Sequence, residues 1–155
     1  MTMTDSARVE AIFITPVAGT LPNSVEAVRA IAGEGLEGDR YCTGEGTWSH
    51  WPGGGRQVTL IEAEVLAVLE ESLGITGAQA RRNIVTQGVR LNDLVGLDFK
   101  IGAVVMAGIR LCEPCTHLEK LTVRGAASFL DGCGGLRADI LLGGTIHTGD
   151  KLSLL

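Results

Sequence analysis

The residues best suited to chemistry are two cysteines three positions apart, Cys112 and Cys115, in the stretch "LCEPCT" (111–116). Cysteine sulfur can bind a metal, form a disulfide or act as a nucleophile. The pair could therefore be half of a structural zinc site, a redox disulfide, or one reactive thiol beside a buried one. Each alternative makes a different demand on the rest of the chain.

Chemistry that uses both cysteines finds little support elsewhere in the sequence. A structural zinc site needs four nitrogen or sulfur ligands, usually from two such pairs, but Cys42 and Cys133 each stand alone. The histidines that could complete a site only by coincidence of the fold are His50, His117 and His147. A thioredoxin-like pair lies at a helix N-terminus within a βαβ unit, whereas here the first cysteine ends an apolar strand in mostly β surroundings.

A single functional thiol at Cys115 is the third alternative. Pro114 cannot donate to a strand ladder, so it stops the strand just before Cys115. The following segment, 116–132, carries helical signals, and free backbone N–H groups at its start would lower the pKa of the Cys115 thiol. Cys112 would then be a small buried apolar residue. Burial of both cysteines in the core remains open on local grounds.

Two further motifs contain charged residues that could bind a ligand. In "GLEGDR" (35–40), Asp39 and Arg40 follow a glycine-rich turn, where they could orient an anion or a metal-bound ligand, or form an ordinary surface pair. In "RRN", Arg81, Arg82 and Asn83 precede a predicted strand. Guanidinium groups suit phosphate, pterin or carboxylate recognition, although a solvated strand end would look the same.

The overall composition limits the classes of partner and location. A net charge of -5 and a pI near 5.1 argue against nucleic-acid binding, which needs clustered Lys and Arg. The N-terminus "MTMTDSARVE" has no basic and apolar signal pattern, and no apolar run approaches the roughly 20 residues of a membrane span. We therefore expect no membrane association and a cytoplasmic protein with reduced thiols, in which four cysteines do not imply disulfides.

The pattern of short apolar runs separated by glycines predicts a mainly β protein with a few helices. With 22 glycines, turns are frequent. The clearest helix is 62–74, ending at Gly74. A hairpin is expected about Gly102, and single strands are expected at 24–31 and 136–144. The segment "TIHTG" (145–149) is expected to link the second of these to a last strand. The long loop 41–55, with Trp48 and Trp51, could cover a ligand or be buried. We predict one domain over residues 1–155, with residues 1–7 flexible, folded as a closed or partly closed β-barrel with helices as insertions.

Taken together, five segments in order resemble the MOSC domain family, named for the C-terminal domain of molybdenum cofactor sulfurases. Any one of them is weak, but their common order and spacing cover nearly the whole chain from about residue 8. The segments are "GLEGDR" (35–40), "RQVTLIEAEVL" (56–66), "RRNIVTQGVRLNDLVGLDFKIG" (81–102), "LCEPCTHLE" (111–119) and "GGLRADILLGGTIHTGDKL" (134–152).

The resemblance implies a strongly bent, partly closed β-barrel in which Cys115 carries sulfur as a persulfide or ligates the molybdenum of a pyranopterin cofactor. The matched polar residues that would line the same cleft and bind the cofactor are Asp39, Arg40, Arg81, Arg82 and Asn83. Many relatives have a histidine directly after "GDR", where this chain has Tyr41, with His50 nearby in sequence.

Such a protein would be a molybdenum-cofactor-dependent oxidoreductase acting on a small molecule, such as an N-hydroxylated compound, or a sulfur-transfer protein. Its partners would be an electron-transfer protein or a cysteine desulfurase, respectively. The alternative from another class is a non-catalytic β-barrel module that binds a small anion or a protein and keeps its cysteine pair buried.

Overall fold

The computed structural model describes residues 3–46, 49, 53–112 and 133–155. Within these ranges the chain is mainly β, with one α-helix, as the sequence predicts. The strands are β1 (Met3–Ile14), β2 (Asn23–Val25), β3 (Ala27–Ile31), β4 (Gly35–Leu36), β5 (Val58–Glu62), β6 (Ile84–Val89), β7 (Asp98–Ile101), β8 (Val104–Leu111), β9 (Leu136–Leu142), β10 (Gly144–His147) and β11 (Leu152–Leu154), and the helices are α1 (Ala63–Leu73) and a 3-10 helix (Leu91–Leu94).

Eight strands form one large sheet in the order β11-β7-β8-β9-β5-β6-β1-β2. All neighbours are antiparallel except β5 and β6, which are parallel and connected through α1. This connection brings residues 81–83, which precede β6, beside the beginning of β5.

The large sheet is not closed into the barrel that we predicted. Its end strands, β11 and β2, do not pair with each other in the described part of the chain. A single bridge between Arg8 and Lys151 joins β1 to the residue before β11. Two backbone hydrogen bonds flank it, from Val9 N–H to Asp150 O (2.9 Å) and from Gly149 N–H to Val9 O (2.8 Å). The sheet bends far enough for this contact, but no continuous strand ladder closes it.

A smaller sheet has the order β10-β3-β4 and corrects two sequence-based assignments. Residues 24–31, expected to form one strand, are divided between β2 in the large sheet and β3 in the small one. The expected link "TIHTG" (145–149) contains most of β10, in which Ile146 is buried and pairs with Val28 of β3. Buried and exposed residues alternate along β3, as in a strand that pairs with a neighbour. That neighbour, β10, comes from far along the chain.

The predicted helix 62–74 is confirmed as α1. Gly74 ends it in the left-handed conformation (φ 69°), and its N–H donates to Glu70 O. The helix packs over the outer face of the large sheet, where the fully buried Leu69 meets Ile61 and Val85. The opposite face of that sheet builds the main core, which includes Leu60, Phe99 and Met106.

Two other sequence-based expectations fall on described residues, and a third does not. The hairpin about Gly102 is present, joining β7 to β8. Residues 3–7, expected to be flexible, belong to β1, with Met3 and Ala7 buried. The helical prediction for 116–132 lies outside the described residues. No helix in the described ranges has the length and apolar character needed to cross a membrane.

Candidate functional site

The polar residues singled out by the sequence lie where several strand ends of the large sheet meet. Asp39 and Arg40 are in the turn that follows β4, next to Thr15 at the end of β1. Arg82 and Asn83 directly precede β6, and Asn83 contacts Thr59 of β5. The structure therefore connects two of the motifs to the same end of the sheet.

Asp39 is fully buried and organises the turn. Its Oδ1 accepts hydrogen bonds from the Thr15 N–H (3.2 Å) and from Nη1 of Arg40 (3.0 Å). Its Oδ2 accepts from the Tyr41 N–H (3.3 Å). A buried carboxylate needs such partners, because desolvation of an unpaired charge is costly. The described contacts of Asp39 thus hold Arg40 in place and tie the turn to β1.

Arg40 is buried beside Asp39 and stacks on its neighbour. The guanidinium carbon lies 4.9 Å from the centroid of the Tyr41 ring, within cation–π range. The Arg40 N–H donates to Thr15 O (2.7 Å), which fixes the backbone to the end of β1, while Asp39 holds the side chain. Tyr41 serves here as a platform for this guanidinium.

Asn83 clamps three strands together. Its Oδ1 accepts from the backbone N–H (3.1 Å) and the hydroxyl (3.2 Å) of Thr59, and its Nδ2 donates to Phe13 O (3.1 Å). Its own N–H donates to Thr59 Oγ1 (3.0 Å), and its carbonyl accepts from the Phe13 N–H (2.7 Å). These bonds join β1, β5 and the start of β6, so the contacts of Asn83 in this structure are those of a positioning residue.

Arg82 is buried and points toward the beginning of β9. Its Nε donates to Gly134 O (2.8 Å), and its Nη1 donates to Ala80 O (3.3 Å). The next residue, Gly135, accepts a hydrogen bond from the Cys112 N–H (2.8 Å) at the end of β8. Arg82 is therefore connected to the strand end from which the "CEPC" segment continues.

Arg81 is half-buried and has a strained backbone. Its φ of 60° lies in the left-handed region, which is rare for a residue with a side chain and is enriched at functional sites. Its guanidinium Nη1 donates to Thr20 O, and the residue lines a pocket of about 120 Å³ with Gly19, Leu21 and Gln79. This pocket has room for a group of only a few heavy atoms.

Arg40, Arg81 and Arg82 together form what we call the arginine cluster. Burial lowers the pKa of Arg81, and the positive charge of Arg40 lowers it further; Tyr41 and Asp39 act in the opposite direction, and Arg82 again lowers it. Mutual repulsion of this kind requires the guanidinium groups to be near one another. Among the described residues, the carboxylate paired with this cluster is that of Asp39, which contacts Arg40, within a protein that is acidic overall.

Three of the four cysteines lie in the part of the chain that the structure describes. Cys112 is buried, as expected for a strand-filling residue, and Cys42 and Cys133 are half-buried. The pKa of the Cys42 thiol is raised, first by burial and then by the charges of Glu34, Asp39 and Glu37, so this thiol stays protonated at neutral pH. Cys115, with His50, His117, Trp48 and Trp51, lies outside the described residues. Within the described ranges, no three His, Cys, Asp or Glu residues are grouped as in a metal site.

Sequence reasoning missed a second group of arginines, Arg56, Arg110 and Arg137. Arg110 and Arg137 are opposite each other in the β8–β9 ladder, and both influence the pKa of Arg56. The three lie far apart in the sequence, so only strand pairing could have revealed them.

The fold and site define a mainly β protein with buried, positively charged residues at the ends of its strands. The family model for the MOSC domain matches residues 49–153, which is more than half of the chain. The chain therefore belongs to the MOSC domain family. No curated protein sequence matches it.

Three crystal structures support the same fold. The YuaD protein from Bacillus subtilis is 15% identical with a TM-score of 0.77, covering 94% of this chain and 93% of that one. YiiM from Geobacillus stearothermophilus is 16% identical with a TM-score of 0.74, covering 96% and 75%. YiiM from Escherichia coli is 16% identical with a TM-score of 0.69, covering 96% and 69%. At such low identity these similarities establish the fold.

Proposed function

We propose that this protein binds the anionic pyranopterin of the molybdenum cofactor at the arginine cluster and uses Cys115 as its functional thiol. The supporting observation is the set of three arginines gathered at one end of the large sheet, two of them buried. The MOSC family is associated with the molybdenum cofactor. The cofactor carries a phosphate, and guanidinium groups match phosphate in charge and geometry.

The described residues fit an anionic cofactor. Counted over the described residues, the three arginines and the paired Asp39 carboxylate leave a net charge of about two positive units, which complements a phosphate dianion. Arg40, Arg81 and Arg82 would hold the anion. Asp39 and Asn83 would position them, because their hydrogen bonds described above are made to the protein itself.

Cys115 would be the reactive residue because of its position in the chain. It follows Cys112 by three residues, so chain length alone keeps the two Cα atoms within about 11 Å. Cys112 is in turn one hydrogen bond from Gly135, next to the residue that Arg82 contacts. When bound, the cofactor would supply the redox chemistry of its molybdenum, for which a soft thiolate is a suitable ligand. The cytoplasm, where we place the protein, would keep this thiol reduced.

Metal and pterin analysis tests cofactor binding. The protein is purified from a host that makes the molybdenum cofactor, together with Cys115→Ser, Arg82→Gln and the exposed control Arg29→Gln. We expect molybdenum and pterin in the wild type and the control, pterin loss in Arg82→Gln, and molybdenum loss in Cys115→Ser. If the wild type and Cys115→Ser are both free of molybdenum and pterin, cofactor binding is refuted.

Sulfur transfer is the other use of the same thiol. In that reaction the Cys115 thiolate attacks the outer sulfur of a cysteine desulfurase persulfide, and the desulfurase cysteine leaves as a thiolate. Intact-mass measurement after incubation with a desulfurase and cysteine should show one added sulfur atom in the wild type and none in Cys115→Ser. An unmodified wild-type mass would exclude this version.

A binding module for small anions is the second candidate, favoured by the arginine cluster itself. In this case the protein would bind inorganic phosphate without molybdenum, and native Cys115 would react slowly with a thiol reagent at neutral pH. Fast reaction of Cys115 would contradict this candidate.

A further inference from the structure

A pocket of about 120 Å³ lies beside the arginine cluster, where the loop between β1 and β2 meets the residues that precede β6. It is lined by Gly19 and Leu21 of that loop and by Gln79 and Arg81. A water molecule takes up about 30 Å³ in the liquid, so this volume corresponds to about four to five heavy atoms of a ligand.

The loop that forms one wall of this pocket is held in place by hydrogen bonds within the protein. The Thr15 N–H donates to Oδ1 of Asp39 (3.2 Å), which ties the start of the loop to the arginine cluster. The hydroxyl oxygens of Thr15 and Thr20 are 2.5 Å apart, and Thr20 Oγ1 donates to Val17 O (2.8 Å). The loop is therefore shaped before a ligand binds, which limits the ordering cost of binding.

Arg81 brings a positive charge to the pocket. Its Nη1 donates to Thr20 O, and its Nε and Nη2 make no hydrogen bond to any of the described residues. It also forms no ion pair with a carboxylate in the described part of the chain. Burial lowers the pKa of Arg81, because the half-buried charge has lost part of its hydration. An anion in the pocket would replace the lost water as the partner of this guanidinium.

Gln79 adds a second hydrogen-bond donor. Its Oε1 accepts from the Thr76 N–H (2.9 Å), and its own N–H donates to Thr76 Oγ1 (3.3 Å). Only the oxygen of a side-chain amide can accept from an N–H, so this reciprocal pair fixes which end of the amide is engaged and leaves Nε2 as a donor. The four residues that line the pocket thus include a guanidinium and an amide, and none of the four is acidic.

We propose that this pocket binds the carboxylate of a small ligand whose remaining part is apolar. The planar guanidinium of Arg81 matches the two oxygens of a carboxylate, and Nε2 of Gln79 can donate to one of them. The single charge of Arg81 fits a monoanion better than a phosphate dianion. Val17 and Leu21 are 52% and 61% exposed, so the loop offers apolar surface to the rest of the ligand.

This site goes beyond the proposed function and does not depend on it, because neither Cys115 nor molybdenum takes part in it. Arg81 belongs to the arginine cluster as well, and its five N–H groups allow contacts with a cofactor anion and with a carboxylate. In a cofactor-dependent enzyme the pocket would select substrates that carry a carboxylate next to an apolar group. In a binding module it would be a carboxylate site by itself.

Amide NMR of the full chain without cofactor tests the proposal with propionate as the probe. We expect a saturable shift of the Gly19, Leu21 and Arg81 amide signals in the millimolar range, as for a ligand of about five heavy atoms. Hexanoate should bind about threefold more tightly or better, since its longer chain buries more apolar surface against Leu21. Inorganic phosphate at matched ionic strength should bind at these residues more weakly than propionate.

Two variants remove the donors while preserving the local structure. Gln79→Glu keeps the oxygen that accepts from Thr76 but replaces Nε2 with a charged oxygen, and we expect the affinity for propionate to fall about tenfold or more. Arg81→Gly removes the guanidinium at a φ of 60°, which glycine adopts without strain, and should abolish the saturable response. Arg29→Gln, on the exposed side of β3, changes the net charge by the same amount and should bind propionate like the wild type.

The carboxylate site and the proposed cofactor site can fail separately. Arg82→Gln, which is expected to lose pterin, should still bind propionate at Gly19 and Leu21. A wild type that lacks pterin but binds propionate there would refute cofactor binding and support the carboxylate site. The proposal is overturned if propionate shifts none of these signals, if Gln79→Glu binds propionate as tightly as the wild type, or if phosphate binds there more tightly. Equal affinity for propionate and hexanoate would refute the apolar part of the ligand.

Discussion

Nε of Arg82 and the carbonyl oxygen of Gly134 are joined by a hydrogen bond of 2.8 Å, which ties the residues before β6 to those before β9. Because Gly135 accepts from the Cys112 N–H, the same bond also secures the end of β8. Arg82, a candidate cofactor-binding residue, is thus also part of the frame that holds Cys112, the first residue of "CEPC".

Replacing Arg82 should therefore reduce stability as well as anion binding. Arg82→Gln loses the charged hydrogen bonds to Gly134 and Ala80, and we expect the free energy of unfolding to fall by about 1–3 kcal/mol. Urea denaturation measures the change. The control Arg29→Gln, on the exposed side of β3, should stay within about 0.5 kcal/mol. A stability of Arg82→Gln equal to that of the control would mean that this tether contributes nothing.

The Asp39–Arg40 pair should be far more sensitive to substitution than an exposed pair of the same length. Asp39→Asn leaves the buried Arg40 guanidinium without its counter-charge, and the expected cost is about 3–5 kcal/mol. The matched control is Glu10→Gln, which breaks the exposed Arg8–Glu10 pair at 3.1 Å and should cost about 0–1 kcal/mol. Both are measured by chemical denaturation at neutral pH. Similar losses in the two variants would contradict a structural role for Asp39.

The local parts of the fold could be predicted from the sequence, whereas the pairing of distant segments could not. Helix α1 is marked by apolar residues on one face and by Gly74 at its end, and the β7–β8 hairpin by Gly102. β10 has one buried apolar residue, Ile146, and becomes a strand only because β3 lies beside it. The open edge of the large sheet likewise depends on how far it bends, which no local pattern specifies.

The candidate functional site was likewise only partly predictable from the sequence. The types of Arg81, Arg82 and Asn83 indicated anion recognition, but not that Asn83 directs its hydrogen bonds to Thr59 and Phe13. The opposition of Arg110 and Arg137 was also beyond the sequence, because their strands meet only through long-range pairing with an irregular register. Roles that depend on which strand ends converge have no signature in a short motif.

Cys42 should be a slow nucleophile, in contrast to the reactive thiol that we propose at Cys115. Since burial and three nearby acids raise the pKa of Cys42 above its usual 9.0, little thiolate is present at neutral pH. Alkylation followed by peptide mass mapping should show Cys42 modified more slowly than a model thiol, with a rate that rises as the pH increases. Glu34→Gln removes one of the charges responsible and should accelerate the reaction, whereas Glu10→Gln should not. Rapid labelling of Cys42 at neutral pH would contradict this prediction.

Glu62, the residue before α1, should make stability depend on pH. Its pKa is raised above the usual 4.5, first by burial, against a hydrogen bond from the Leu91 backbone that lowers it. The folded state then binds the Glu62 proton more tightly than the unfolded state, so the contribution of this residue to stability decreases as the pH rises from about 4 through its raised pKa. Glu62→Gln removes the ionisation and should become more stable than the wild type over that interval, while the difference is smallest at acidic pH. Unfolding by urea at several pH values measures this, with Glu71→Gln, exposed on the same helix, as the control. A difference between Glu62→Gln and the wild type that does not change with pH, or that favours the wild type as the pH rises, would show that burial of Glu62 does not disfavour its charged form.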